Sequence, residues 1–298
     1  MKDHDNQDNK ETWEKQQKIL FEQLETPFKQ NTENSWETLL EKTYNTPKEN
    51  KAVEAPPATK IISSIWFRMA AASIILVVGT LSFAKFYTTS VNCLRGQHLA
   101  HSLPDGSIIQ LNAESSIRYA PYWWYVTRSL QLEGEAFFEV EKGSRFSVES
   151  KLGTTEVLGT SFNIYARKNQ YRVLCTTGKV KVTAQQSKHS LTLVPNEMAT
   201  LIDLKRFEKN KTTEATKMVA WKKNMFYFNT VPLPAVFDEI ERQYDITIDY
   251  QPTSGHPNKF IGSFEKQHDT EQVLQMVTLP FGFKFKKVKK NYYIIENQ

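Results

Sequence analysis

Twenty residues, Ile65 to Ala84, form one apolar run behind sixty-four mostly polar residues, and no other stretch limits the fold so tightly. At 1.5 Å per residue, a helix over the run is about 30 Å long, the thickness of a bilayer's hydrocarbon core. Its single charge, Arg68, lies near the start, where the stem can reach the headgroups. Trp66 at one end and Phe86-Tyr87 at the other suit the interfacial belts. A cleaved signal peptide would carry its apolar core within roughly the first two dozen residues, so the polar leader argues against one. A buried core helix is the alternative, and Ser73, Gly79, Thr80 and Ser82 dilute the run enough to keep it open. The run predicts one transmembrane helix, 65–84, in a chain that works on two sides of a membrane.

Charge is shared unevenly about that helix. Residues 1–64 hold nine Lys against twelve Asp or Glu, about −3, while the whole chain carries +5, which leaves about +8 for the rest. Lys48, Lys51, Lys60 and Arg68 precede the span and Lys85 and Arg95 follow it, a bias that predicts the N-terminus inside. On that topology the basic remainder points to solubility or an acidic partner before nucleic acid. Cys93 and Cys175 both fall on the outer side and could pair only if their Cβ atoms meet; Cys175, among alternating apolar residues, reads as a small buried hydrophobe.

Four regions follow from the periodicity. Residues 1–47 read as short amphipathic helices. Trp13, Leu20, Leu24 and Phe28 share one helical face, and an Asn34/Glu37 capping box opens a second helix bearing Trp36, Leu39, Leu40 and Tyr44. Too small to bury its own core, such a segment either presents its apolar stripe to a partner or folds weakly on the membrane. Residues 48–64, with Pro56-Pro57, make a linker. From 95 to 205 the period becomes two. Pro104-Asp105-Gly106 is a turn, and strands are expected at 108–113, 129–132, 136–140, 146–149, 155–158, 161–166, 171–176, 180–184, 191–193 and 198–202. That is an all-β unit, a sandwich or a solenoid-like stack. Residues 221–298 alternate: strand 224–228, helix 233–244, strands 246–250 and 260–264, helix 270–279 capped by Asp269, strands 282–288 and 291–296. The order βαββαββ predicts a small α+β domain.

The side chains that could carry chemistry have economical explanations. Glu133, Glu135, Glu139 and Glu141 resemble paired carboxylates, but the solvated face of a strand accounts for them. His98 and His101 have HxxH spacing without a third ligand nearby, so a surface loop is expected. No P-loop, Gly-x-Ser-x-Gly or HExxH motif occurs, and nothing calls for a cofactor or metal. The run Phe283–Lys290 mixes aromatics with bases as nucleic-acid binders do, yet lysines that discourage pairing of an exposed edge explain it more simply. Lys284, Lys286 and Lys287 could alternatively dock an acidic partner strand.

Four motifs in order carry a family resemblance: LPDGSIIQLNAESSIRY (103–119), LEGEAFFEV (132–140), VLGTSFNIYA (157–166) and TGKVKV (177–182). With LVPNEMATL (193–201) they resemble the FecR-type transmembrane sensors. The tail, through Trp221, Phe226, Phe228, Pro234, FDEIERQYDITI (237–248), IGSF (261–264) and Val273-Leu274, is similar to the C-terminal domain of that family's Bacteroidetes branch. The resemblance spans roughly 103–298. Departures are Arg145 where Pro is usual, Asn196 for a common Gly, and Asn224-Met225 for Asn-Gly; residues 1–64 match the family's sigma-binding helices only loosely.

The resemblance implies a non-enzymatic anti-sigma factor of the bacterial inner membrane. Its cytoplasmic N-terminal segment would hold an extracytoplasmic-function (ECF) sigma factor, with Trp13, Leu20, Leu24, Phe28, Trp36, Leu39 and Leu40 as the expected contacts from amphipathicity. Its periplasmic portion, ending in a secretin/TonB N-terminal-like fold, would be read by the signalling domain of a TonB-dependent outer-membrane receptor. Some members are nicked at a Gly-Thr bond in the motif holding Gly159-Thr160, by an N-to-O acyl shift; an ordinary glycine turn is the simpler expectation here. The competing reading is a membrane-anchored periplasmic binding module, for instance for glycans, with a passive cytoplasmic leader.

Overall fold

In the computed structural model the described residues are 15, 17–18, 32–44, 65–251, 258–266 and 269–297. They belong to two units, Met1–Ser63 and Ser64–Gln298. In the first, helix α1 runs Thr32–Tyr44. It begins two residues before Asn34, so the expected capping box lies inside the first turn and does not set the start. Trp36, Leu39 and Leu40, at i, i+3 and i+4, share one face, and all three are exposed. Thr43 Oγ1 donates to the Leu39 carbonyl in the last turn. Trp13, Leu20, Leu24 and Phe28 lie outside the described residues.

The second unit opens with helix α2, Ile65–Phe86, two residues longer than the apolar run; none of its residues is buried in the chain. Two of the three hydroxyls that dilute the run bond the helix's own carbonyls, Ser73 to Met69 (2.5 Å) and Thr80 to Val77 (2.9 Å). Such hydroxyls need no water, which removes the objection they raise to an apolar surrounding.

Thirteen strands follow as one sheet folded on itself. In chain order they are β1 Thr89–Cys93, β2 Leu99–Ser102, β3 Ile108–Leu111, β4 Ser115–Tyr119, β5 Arg128–Glu139, β6 Phe146–Glu149, β7 Gly153–Val157, β8 Ser161–Arg167, β9 Gln170–Cys175, β10 Val180–Ala184, β11 Ser190–Leu193, β12 Glu197–Ile202 and β13 Arg206–Lys211. The fold line is β5. Its first half pairs with β4 and β6, and its second half, from Gly134, pairs with β3 and β8. The period-two pattern predicts two strands here, broken at Gly134. The glycine instead bends a continuous strand from one layer to the other at φ +100°.

The layers close face to face. Thr155 of β7 and Tyr171 of β9 share a 2.7 Å hydrogen bond, and Phe138 of β5 packs on Phe146 of β6 and Phe162 of β8. Of the pairings in this sheet only β5–β6 is parallel, which decides for a sandwich against a solenoid of parallel coils. Cys93 and Cys175 are separate buried thiols in its core, not a disulfide.

Beyond β13 come a short helical turn, Ala215–Met218, and the C-terminal elements β14 Met225–Pro232, α3 Leu233–Tyr244, β15 Thr247–Tyr250, β16 Lys259–Glu265, α4 Thr270–Thr278, β17 Phe283–Lys289 and β18 Tyr292–Asn297. β14 pairs with β16, and β15–β18–β17 form a second small sheet. Asp269 caps α4 by accepting from Gln272 N at 2.8 Å, as its position before the helix predicts. The aromatic residues Trp221, Phe226, Phe228 and Phe237 build a separate core. Phe137, projecting outward from β5 of the sandwich, is part of that core too.

Candidate functional site

The alternation of burial along β5 is lost after Gly134: residues 134–138 are all buried. Both faces of a strand are covered only where something packs on the outside, and here it is the C-terminal portion. Glu135, read as a solvated strand residue, is the main correction. It is 7% exposed, and both carboxylate oxygens accept from amides, Asn112 Nδ2 and Asn163 Nδ2, each at 2.9 Å. Burial foremost, then the nearby Glu239 carboxylate, push its pKa up.

A polar chain continues from there into α3. Asn112 Oδ1 accepts from Gln243 Nε2 at 2.7 Å; the same amide nitrogen donates to Glu239 Oε1 at 2.8 Å. Gln243 Oε1 meets His98 Nε2 at 3.0 Å, and Arg242 clasps Glu239 Oε2 with Nε and Nη2 at 3.2 and 2.7 Å. His98 lies in the loop before β2, as expected, but half-buried against α3 instead of on open surface. Its pKa is lowered, by burial first and then by the Lys266 charge. His101 lies on strand β2 and not in a loop, and it bonds Tyr119 instead, so the HxxH pair serves two different partners. Among the described residues no cluster of His, Cys, Asp or Glu is arranged to hold a metal ion.

Beside this chain opens a cleft of about 620 Å³, walled on the sandwich side by Asn163, Tyr165 and Arg172 and on the other by β14. Asn163 Oδ1 is buried without a hydrogen-bond partner among the described residues. With both oxygens of Glu135 taken by amides, the arrangement orients two packed portions of the chain. Phe137 was the one legible signal: a large apolar side chain among alternating glutamates on a face otherwise read as solvated.

The remaining sequence-derived residues lie elsewhere. Gly159 has φ +152°, and a Cβ there would stand 2.8 Å from Lys142 Cα. Thr160 beside it is buried, and its Oγ1 has no hydrogen-bond partner among the described residues. Lys284, Lys286 and Lys287 are exposed on β17, which ends its sheet; Lys287 bridges Glu271 at 3.0 Å.

Comparison with known proteins agrees with the motifs. Residues 87–181 match the model of the FecR protein family, and residues 225–295 match that of the FecR C-terminal domain. The chain belongs to the FecR family. Two crystal structures of a candidate anti-sigma factor from Parabacteroides distasonis ATCC 8503, at 2.50 and 1.65 Å resolution, are similar to it. Each superposes with a TM-score of 0.64 at 28% identity, over 71% and 70% of this chain and 100% and 99% of theirs. No curated protein matches. The FecR match spans β1 to the start of β10, so it includes Glu135, Asn112 and Gly159-Thr160, while the C-terminal match includes Gln243.

Proposed function

We propose that the chain is a single-pass anti-sigma factor of the bacterial inner membrane. Residues 1–47 face the cytoplasm, 48–64 link them to the spanning helix, and the sandwich and the C-terminal domain face the periplasm. The N-terminal segment holds an ECF sigma factor. The periplasmic portion takes its signal from the signalling domain of a TonB-dependent receptor, and no catalytic step is required. The observation that carries this reading, beside FecR membership, is α1: Trp36, Leu39 and Leu40 form an exposed apolar face on a polar helix. An amphipathic helix with such a face is the groove-seeking half of a helix-in-groove contact.

The test is co-purification of the full chain, in detergent, with the sigma factor encoded beside it. Trp36→Ala, Leu39→Ala and Leu40→Ala together should abolish the complex, as should Trp13→Ala, Leu20→Ala, Leu24→Ala and Phe28→Ala. A complex that survives both sets discards these residues. Absence of any complex with the host's sigma factors hands the function to the competing reading of an anchored binding module, for which the cleft beside Glu135 would be the binding site.

The outer edge of β17 supports the receptor contact, because no further strand among the described residues pairs with it. Lys284 and Lys286 there would meet an acidic strand added to the edge. Gly159-Thr160 carries a second proposal, self-cleavage. Thr160 Oγ attacks the Gly159 carbonyl carbon and the Thr160 nitrogen leaves as an amine; water then hydrolyses the ester to a Gly159 carboxylate and a free hydroxyl. A turn that only glycine can make, which sets the carbonyl beside Thr160, and the unpartnered hydroxyl support it. Two fragments on a denaturing gel, lost in Thr160→Val, are expected; a chain that stays intact on prolonged incubation refutes the cleavage alone.

A further inference from the structure

The corner between β4 and β5, residues 120–127, spends its side chains unusually. Trp124 is fully buried, edge-on to Tyr119 and Phe146 at 5.4 and 5.7 Å. Its neighbours point the other way: Tyr122, Tyr125 and Val126 are 64, 80 and 66% exposed. The corner is nevertheless tightly held. Val126 N and Thr127 N both donate to the Trp123 carbonyl, at 3.0 and 3.1 Å, and Tyr125 Oη donates to Pro104 O at 2.9 Å. A rigid corner that keeps two tyrosines and a valine outward pays for them in water unless another phase takes them up.

Chain geometry says which phase is near. Only Tyr87 and Thr88 separate the end of α2 from the start of β1, a reach of about 7 Å. β1 pairs antiparallel with β4, with Thr89 opposite Tyr119, so the corner that follows Tyr119 emerges beside the foot of the helix. The Tyr122 ring lies 6.2 Å from Phe83 and 5.4 Å from Tyr87, against the last turn of α2. Lys85, over the Phe86 ring, and Arg118, bonded to Ser90 Oγ, add positive charge at this end. The carboxylate nearest the corner's Pro104 support, Asp105, is already taken by Arg128.

We propose that Tyr122, Tyr125 and Val126 form a bilayer-contact surface that seats the sandwich on the outer headgroup layer beside its own spanning helix. The inference rests on the membrane-spanning reading of α2. Tyrosine is suited to this position, with an apolar ring for the acyl boundary and, at Tyr122, a hydroxyl for the headgroups. Lys85 and Arg118 would meet anionic lipid phosphates there. Seating fixes the orientation of the sandwich to the membrane, instead of leaving it to swing on its two-residue connection.

The test uses the full chain with Cys93 and Cys175 replaced by Ala and one new cysteine at a time. Val126→Cys reports the corner and Val78→Cys the middle of the helix. Gln186→Cys reports the turn before β11, at the opposite edge of its layer from β1. Each is labelled with an environment-sensitive fluorophore and reconstituted into phosphatidylethanolamine–phosphatidylglycerol vesicles bearing headgroup or deep acyl-chain nitroxides. Headgroup nitroxide should quench the Val126 label several-fold more than the Gln186 label, and Tyr122→Ser with Tyr125→Ser should bring it down to the Gln186 level. Quenching at Val78 by the deep nitroxide, with Val126 no different from Gln186, overturns the seating and leaves the spanning helix standing; the corner is then a protein contact. A Val78 label that no deep nitroxide quenches overturns the spanning reading, and the seating falls with it.

Discussion

Gly134 sits where β5 passes from one layer to the other, and a Cβ there would come within 2.7 Å of Ser115 Cα. Its φ of +100° is closed to L side chains, so strain and overlap add. Gly134→Val should therefore cost about 3 kcal/mol or more, read as a lowered urea midpoint of the chain in detergent. One residue further on, Glu135 predicts a pH dependence. Its pKa is raised in the fold, so the protonated form is the one favoured there. That contribution is fully present below the ordinary glutamate value and is lost as pH rises from it through the raised value. Glu135→Gln should flatten the stability profile over that window; an unchanged slope would assign the dependence to another group. At this scale some residues were legible and others were not. Asp269 was read correctly as a cap, because an N-cap bond is local, reaching only to Gln272. Glu135 was misread because its partners Asn112 and Asn163 lie 23 and 28 residues away in sequence.

Helix α3 joins the C-terminal portion to the sandwich through Gln243, which reaches Asn112, Glu239 and His98. Gln243→Ala leaves buried acceptors with fewer donors, at a cost of about 1–3 kcal/mol. Hydrogen exchange should show α3 opening before the sandwich strands; equal protection in variant and parent would deny the helix this role. Element boundaries were read best where one pattern is sustained. Helix α3 at 233–244, strand β10 at 180–184 and β6 at 146–149 lie where periodicity placed them. Strands β1, β2, β4 and β13 were not read from periodicity. β2 is one reason why: its burial does not alternate, because it lies at the margin of its layer, paired only with β3. Likewise α1 starts at Thr32, because Asn34 has the composition of a cap without its position.

For the whole molecule, the excess of positive charge after residue 64 matters at long range. If the β17 edge receives an acidic partner, Lys284→Glu with Lys286→Glu should slow association with the receptor's signalling domain and weaken its salt dependence. An association rate that does not change would move the contact elsewhere. An apolar run of membrane length, a period-two stretch and a βαββαββ tail were all present in the sequence by itself. Each is a local pattern, set by residues a few positions apart and by the water or lipid they avoid. Ordered motifs added the FecR resemblance. Only the tertiary structure decided that β5 folds one sheet into a sandwich, that Glu135 is buried and His98 half-buried where α3 packs, and that the 120–127 corner stands at the foot of the helix. Those outcomes depend on which distant segments meet, and burial by a distant partner leaves no period in the chain.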